Sequence, residues 1–165
     1  MSLPARKSRL PYPILFLVTF LAVAIAPSAC MPALSANTTV SELVARPELY
    51  AGKKVTLECF YFQTFETNVF CDALQVQTGT TDYFIPKEPL VWVEGGLPKA
   101  IFDRLYTESR PNFAPAYYGK LRITARFDYG GTYGHLGGFR YQIVISAIQP
   151  QVEFVSWSPQ STTTK

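Results

Sequence analysis

Apolar and polar residues alternate along several stretches of the chain, and each such stretch predicts a β-strand. Within Lys54 to Phe65, an apolar or sulfur-bearing residue recurs at every second position from Val55 to Tyr61, with Thr56 and Glu58 between the first three, as in a half-buried strand. Prolines interrupt the third predicted strand, which edge strands tolerate. The strands are predicted over Lys54–Phe65, Phe70–Gln77, Tyr83–Ile85 with Leu90–Val93, Leu121–Asp128 and Tyr141–Ala147.

Two other regions show a helical pattern. Ser41 is placed to cap a short first helix, and Pro47 begins a second turn that stops at Gly52. From Leu97 to Arg110 the apolar residues recur on one helical face with charges opposite, which predicts a longer helix. The elements therefore run in the order of a short helix, three strands, a helix and two strands.

This order is that of an OB-fold, a five-stranded Greek-key barrel with a helix between its third and fourth strands. We therefore predict a mainly β fold class, with an OB-fold-like barrel domain over residues 40–155 and a short helix at its start. The 12 Phe and 10 Tyr residues also favour strands over helices. Residues 156–165 end in a polar run and are predicted to form a disordered tail.

The first 29 residues are typical of a secretory signal peptide. A cationic start with Arg6, Lys7 and Arg9 is followed by a charge-free apolar run over 14–26 and then by small residues. The run is shorter than the roughly 20 apolar residues that a membrane-spanning helix needs. We therefore predict an exported protein of the bacterial cell envelope, which is lipid-anchored, periplasmic or secreted.

Cys30 follows these small residues at the place where a bacterial lipoprotein carries its acylated cysteine. Ser28 and Ala29 fit that motif, whereas Pro27 stands where a branched aliphatic residue is usual. Two alternatives remain: lipidation of Cys30, which would anchor the protein to a membrane, or a plain signal peptide that is cut nearby. Residues 30–39 lack periodicity and are predicted to form a flexible tether.

The charge balance argues against a nucleic-acid partner. The chain has 15 Lys and Arg residues against 12 Asp and Glu residues, but three of the basic residues lie in the predicted signal peptide. The remaining chain is balanced at 12 against 12. Because nucleic-acid-binding domains usually present an excess of positive charge, such a partner is disfavoured.

Cys59 and Cys71 are predicted to form a disulfide, because a hairpin centred near Phe65 would bring them opposite each other in an oxidising compartment. Strand parity complicates this pairing, since Cys59 alternates in step with Val55 and Cys71 with Gln75. Either Cys71 faces away from Cys59 or a bulge shifts the register. Two cysteines and one histidine are too few for a zinc site, so no metal or cofactor is predicted.

Residues 129–139 contain five glycines in eleven positions, between the last two predicted strands. Glycine at this density permits positive φ and close backbone approach. It suits either a tight, bulged hairpin or a loop that presents backbone amides to a ligand. A nucleotide-binding loop would be followed by a helix, whereas a strand follows here.

Five side chains in and around this loop are candidates for ligand binding. Aromatic rings at these positions could form a platform for bases or sugars, or they could pack within the sheet, and packing is the commoner outcome. The single histidine is expected to have a structural role in the loop, because the sequence places no nucleophile or carboxylate beside it. The candidates are Arg126, Tyr129, Tyr133, His135 and Arg140.

Two segments resemble a family of small, exported, lipoprotein-like bacterial proteins with an OB-fold. They are SELVARPELYAGKKV near the start of the domain and RFDYGGTYGHLGGFRYQI near its end, and the YGGxYGHLGGF loop in the second is the specific part. The resemblance covers residues 40–149 and implies an OB-like barrel in an exported or lipidated protein. The family has no assigned reaction, so the resemblance implies nothing about catalysis.

Three classes of function remain. The preferred class is a non-catalytic binding or assembly module of the cell envelope, whose partner is an envelope protein or a glycan. The second is an OB domain that binds oligosaccharide or nucleic acid through the glycine-rich loop. The third is a hydrolase that uses His135 with Glu94 or Asp128, which no motif supports.

Overall fold

The computed structural model describes residues 38–79, 81–110, 113–146 and 150–159. The predicted signal peptide, Cys30 and most of the predicted tether lie outside the described residues. Thr38, near the end of that tether, is buried and forms a β-bridge with Leu57. The last residues of the predicted tether are therefore part of the fold.

Two short helices begin the described chain. The hydroxyl of Thr39 accepts a hydrogen bond from the N–H of Glu42 at 3.1 Å, so Thr39 caps helix α1 (Val40–Ala45) in place of the predicted Ser41. Helix α2 (Pro47–Tyr50) begins with Pro47, as predicted. A proline suits this position because the first N–H groups of a helix have no partner within it.

The described residues are mainly β, as the sequence predicts. Helix α3 (Lys99–Phe102) lies between the fifth and sixth strands, and a 3-10 turn (His135–Gly137) lies between the seventh and eighth. The strands are β1 (Lys54–Gln63), β2 (Asn68–Cys71), β3 (Leu74–Gln77), β4 (Tyr83–Pro86), β5 (Val91–Glu94), β6 (Tyr106–Arg110), β7 (Phe113–Tyr133), β8 (Phe139–Val144) and β9 (Gln151–Phe154).

Seven of these strands form a mixed sheet. Strand β1 pairs antiparallel with both β2 and β7, and β2 pairs antiparallel with β5. Strand β5 pairs parallel with β8, which pairs antiparallel with β7. The path of pairings from β1 through β2, β5, β8 and β7 therefore returns to β1.

Strand β7 is the longest element and has 21 residues. One of its edges pairs with β1. It also pairs with β6 near its start, with β9 in its middle and with β8 near its end. Because four strands pair with β7, it connects most of the sheet.

The helix predicted from Leu97 to Arg110 is wrong over most of its length. Only α3 is helical, and the residues from Tyr106 onward form β6. In β6, Tyr106, Glu108 and Arg110 are half-buried while the residues between them are exposed, which is the period of a strand. Pairing with the start of β7 therefore overrides the local helical pattern.

The second and third predicted strands are each divided into two. Strand β2 ends at Cys71, and β3 pairs with β4 in a separate two-stranded sheet. The carboxylate of Asp72 accepts hydrogen bonds from the N–H groups of Val40 at 2.7 Å and Ser41 at 2.8 Å. Asp72 thus turns toward the start of α1, and the strand breaks at this position.

Two apolar clusters occupy opposite faces of the mixed sheet. Alternate residues of β1 and β7, such as Leu57 and Ile123, belong to the main core, whereas Phe62 and Tyr118 belong to a second cluster. The side chains of Leu74 and Phe84, from the β3–β4 hairpin, pack on the second cluster. That hairpin therefore covers the outer face of the sheet.

Candidate functional site

The glycine-rich loop forms the end of a hairpin between β7 and β8. Tyr129 pairs with Tyr141 and Tyr133 with Phe139, with an irregular register between these pairs. The 3-10 turn closes the hairpin beyond them. We call residues 129–140 the hairpin end.

Two glycines allow close packing within the hairpin end. Gly134 has a φ of +73°, and a Cβ at this position would lie 2.6 Å from the Trp92 ring and 2.8 Å from the Phe139 ring. A Cβ at Gly131 would lie 2.6 Å from the ring of Tyr133. These contacts fit the tight, bulged hairpin that is one of the two sequence-based interpretations.

Leu136 lies at the tip of the hairpin end and is the most exposed large apolar residue of the described chain, with 93% of its surface accessible. Its φ of 56° and ψ of 17° lie in the left-handed region, which is uncommon for a bulky residue. Intramolecular packing does not explain this conformation, because the side chain points into solvent. Strained backbone of this kind is often found at functional sites.

Four of the five predicted site residues lie in the hairpin end. Tyr129 is 41% exposed, His135 and Arg140 are exposed, and Tyr133 is half-buried against Gly131. Other rings pack as the sequence predicts for strand aromatics: Phe139 contacts Trp92 and Tyr141 stacks on Phe127. The exposed side chains of the hairpin end are thus Tyr129, Thr132, His135, Leu136 and Arg140.

Arg126, the fifth predicted site residue, lies farther back on β7. Its guanidinium donates to the Asp128 carboxylate at 2.9 Å, and the Gln142 amide donates to the same carboxylate at 3.3 Å. Arg126 is exposed, but its charge is paired. The structure therefore does not place it among the side chains at the tip.

The proton-transfer pairs considered for a hydrolase are not formed among the described residues. The Asp128 carboxylate accepts hydrogen bonds from Arg126 and Gln142. Glu94 accepts a hydrogen bond from the indole N–H of Trp92 at 3.3 Å. No hydrogen bond in the described part of the chain joins His135 to either carboxylate.

A group of aromatic rings occupies the outer face of the sheet. Trp157 meets Phe60 edge-on at 5.0 Å between ring centroids and Tyr106 at 5.6 Å, and the Tyr106 hydroxyl donates to its carbonyl at 2.6 Å. It also contacts Phe84 and Tyr118. Trp157 falls in the predicted tail, so this part of the tail packs on the sheet.

Arg110 fixes the β3–β4 hairpin to the same face. Its guanidinium lies over the rings of Phe62 at 5.3 Å and Tyr83 at 4.6 Å and donates to the carbonyl of Phe84. Glu108 lies 3.5 Å from it. The chain's own side chains therefore cover this part of the outer face of the sheet.

Cys59 and Cys71 are free, buried thiols, and the predicted disulfide is not present in the structure. Cys71 is the partner of Phe60 in the β1–β2 ladder, so it faces the side of the sheet opposite to Cys59. Burial raises the pKa of the Cys59 thiol well above its usual range and that of Cys71 to about 12. Of the two registers considered from sequence, the structure therefore has the one in which Cys71 faces away.

A polar region that the sequence did not single out lies on β1, β7 and β9. Lys120 and Arg122 contact the Glu58 carboxylate at 2.6 and 3.1 Å and hold the pKa of that carboxyl below its usual value. An open pocket of about 310 Å³ lies beside them and is lined by Arg122, Thr124, Pro150, Gln151, Val152 and Glu153. Long-range pairing of β7 with β1 and β9 creates this region, which local sequence patterns do not show.

Within the described ranges, no group of three or more His, Cys, Asp or Glu side chains is arranged to hold a metal ion. In those same ranges no helix is both long and apolar enough to span a membrane. Comparison with protein-family models, with curated proteins and with solved structures finds no match to this chain.

Proposed function

We propose that this protein is a non-catalytic binding or assembly module of the cell envelope, built on an OB-like five-stranded barrel. The pairing order of β1, β2, β5, β8 and β7 supports the barrel, because it returns to β1. The parallel pairing of β5 with β8 and the position of α3 before β7 agree with this arrangement. In it, β7 and β8 are the fourth and fifth barrel strands.

The contact surface of this module is the hairpin end. An OB-fold binds its ligands through the outer face of its second and third strands and through the adjoining loops, one of which joins the fourth and fifth strands. Here the outer face carries Trp92 and Val69, which pack in the second cluster. The hairpin end is an open loop of this kind, and the exposed Leu136 at its tip is the observation that carries the proposal.

The proposed location of the module in the cell envelope rests on the sequence. The cationic start, apolar run and small-residue boundary support export, and Cys30 supplies a position for a lipid anchor. A tether that ends near Thr38 would hold the domain close to a membrane surface. Partners in the envelope, either protein, glycan or the membrane itself, are then within reach of the hairpin end.

Glycan binding is the second candidate function. Tyr129 offers an exposed ring, and Arg140 offers hydrogen-bond donors on the same hairpin end. Sugar rings stack on aromatic side chains in many OB domains. Removal of the ring by Tyr129→Ala would abolish glycan binding, whereas Leu136→Ser would leave it largely intact.

The experiment that tests the proposed function is site-specific photo-cross-linking in the native envelope. A photoreactive side chain at position 136 is expected to cross-link to an envelope component. The same group at Lys99, whose side chain is 86% exposed on α3, is the control and is expected to give no discrete product. Equal labelling from both positions would contradict the proposal.

A further inference from the structure

We propose that the hairpin end docks on the surface of an anionic lipid bilayer, with the Leu136 side chain inserted below the headgroups. This inference rests on the proposed function and names the partner of the same surface. Three observations carry it: the exposed leucine at the tip, the tyrosine and the arginine of the same hairpin end, and the close packing of Gly134 beneath the tip. Together they match the chemistry of the interfacial zone of a membrane.

The charge of the hairpin end is complementary to anionic lipid. Residues 129–140 include Arg140 and His135 and contain no Asp or Glu. The nearest acidic group along the chain, Asp128, is neutralised by Arg126. A cation beside an anionic membrane surface is attracted to it over roughly one Debye length. Arg140 therefore favours approach, and residues 129–140 contain no acidic side chain that opposes it.

The apolar groups are arranged for the interface between water and lipid. Leu136 is 93% exposed at the tip, while Tyr129 is 41% exposed farther back on β7. Tyrosine rings favour the headgroup level, and aliphatic side chains favour the hydrocarbon below it. A bilayer would therefore meet the leucine first and the tyrosine behind it.

The hairpin end packs closely on neighbouring rings at Gly134. Gly134 lies against Trp92 and Phe139, and the rings of these two residues are 5.3 Å apart at their centroids. The left-handed backbone conformation of Leu136 turns its side chain away from these contacts and into solvent. This packing restricts the loop before docking, which lowers the entropic cost of a small contact.

One inserted leucine gives a weak contact. Burying its side chain strengthens binding roughly ten- to hundred-fold, and one cation adds about five-fold. Such a contact is reversible on its own and gains from a tether that raises the local concentration. The docking would therefore orient a lipid-anchored domain rather than anchor it.

Trp92 provides an intrinsic reporter, because its ring contacts Gly134 directly. The exported chain with Cys30→Ser excludes any acyl chain, and Trp157→Phe leaves Trp92 as the single tryptophan while an aromatic ring stays in the outer cluster. We expect vesicles that contain anionic phospholipid to shift the Trp92 emission and to co-sediment the protein. Vesicles of neutral phospholipid should bind several-fold more weakly.

The matched variants are Leu136→Ser and Phe65→Ser. Phe65 is 85% exposed in the β1–β2 turn. This turn follows Gln63, which pairs with Tyr117 near the start of β7, whereas the hairpin end lies at the other end of β7. Leu136→Ser should weaken vesicle binding at least ten-fold, and Phe65→Ser should leave it unchanged. Co-sedimentation of the same variants with both tryptophans present serves as the measurement if Trp157→Phe alters the fold.

Equal losses in the two variants, equal binding to neutral and anionic vesicles, or no vesicle binding at millimolar lipid would each overturn the inference. The proposed function is judged separately. A discrete protein or glycan cross-linked from position 136, together with no vesicle binding, would refute membrane docking and leave the binding module intact. Cross-links to lipid from position 136 would support both.

Discussion

Gly134 rests directly on the indole ring of Trp92, so closely that a Cβ at position 134 would lie 2.6 Å from that ring. Gly134→Ala should therefore lower the free energy of unfolding by about 2 kcal/mol or more, through the contact and through its positive φ. Urea denaturation measures this change. Gly138→Ala is the control, because its Cβ would have ordinary contacts only and its φ of −72° suits alanine. Equal effects of the two substitutions would contradict the close packing of Gly134 on Trp92.

Leu136→Asn should separate stability from binding. Asparagine tolerates the left-handed region better than leucine, so we expect the free energy of unfolding to rise by about 0.5–1 kcal/mol. Vesicle binding should fall in the same variant, because the apolar tip is lost. A drop in stability measured by thermal denaturation would show that the leucine side chain packs in the fold instead.

Trp157→Ala tests whether the C-terminal segment belongs to the fold. The loss of its edge-on contacts with Phe60 and Tyr106 should lower the free energy of unfolding by about 2–3 kcal/mol, because the ring is half-buried. Ser156→Ala, at an exposed neighbouring position, should stay within about 0.5 kcal/mol of the natural chain. No difference between these variants in chemical denaturation would refute the packed position of Trp157.

Asp72→Ala should loosen the start of the domain. Its carboxylate accepts two backbone N–H groups at the beginning of α1, and their loss should cost about 1–2 kcal/mol. Asp103→Ala removes an exposed ion pair with Lys99 and should cost less than about 0.5 kcal/mol. Amide hydrogen exchange of Val40 and Ser41 would rise in the Asp72 variant only; unchanged exchange there would count against the contact.

The buried thiols make the fold sensitive to alkali. An unfolded thiol has a pKa of about 8.5, whereas burial raises the pKa of Cys71 to about 12. Because the folded pKa is the higher one, the stabilisation is complete below the unfolded value and is lost as pH rises above it. Each such thiol should lower the free energy of unfolding by about 1.4 kcal/mol per pH unit in that window.

Cys71→Ala should make this decline with pH shallower, although the variant starts from a lower stability because the side chain is buried. Denaturation series between about pH 8.5 and pH 11 measure the slope. An identical slope in the natural chain and the variant would mean that Cys71 ionises equally in both states. A bridged pair of cysteines would give the same result, and thiol titration of the unfolded chain distinguishes the two.

The strands with one buried face were predictable from the sequence. In β1, Val55, Leu57 and Cys59 alternate with half-buried polar residues, and the observed strand begins at the predicted residue. The later strands β7 and β8 overlap their predictions for the same reason. A regular period of two identifies a half-buried strand without knowledge of its partners.

Features that depend on distant pairing were not predictable. Residues from Tyr106 to Arg110 fit a helical face locally and become a strand only because β7 offers them an edge. Trp157 acquires a place through contacts with residues 39 to 97 positions away, from Tyr118 to Phe60. In the hairpin end, the glycine content was visible from the sequence, but the contact of Gly134 with Trp92 was not.

The many pairings of β7 affect the order in which the chain can fold. Lys54 pairs with Arg126 and Gln63 with Tyr117, so β1 has to wait for residues that follow it by 54 to 72 positions. Contacts of such large sequence separation form slowly. If the chain is exported as we propose, it would therefore remain unfolded until β7 has passed through the export channel, and any processing at Cys30 would act on an unfolded substrate.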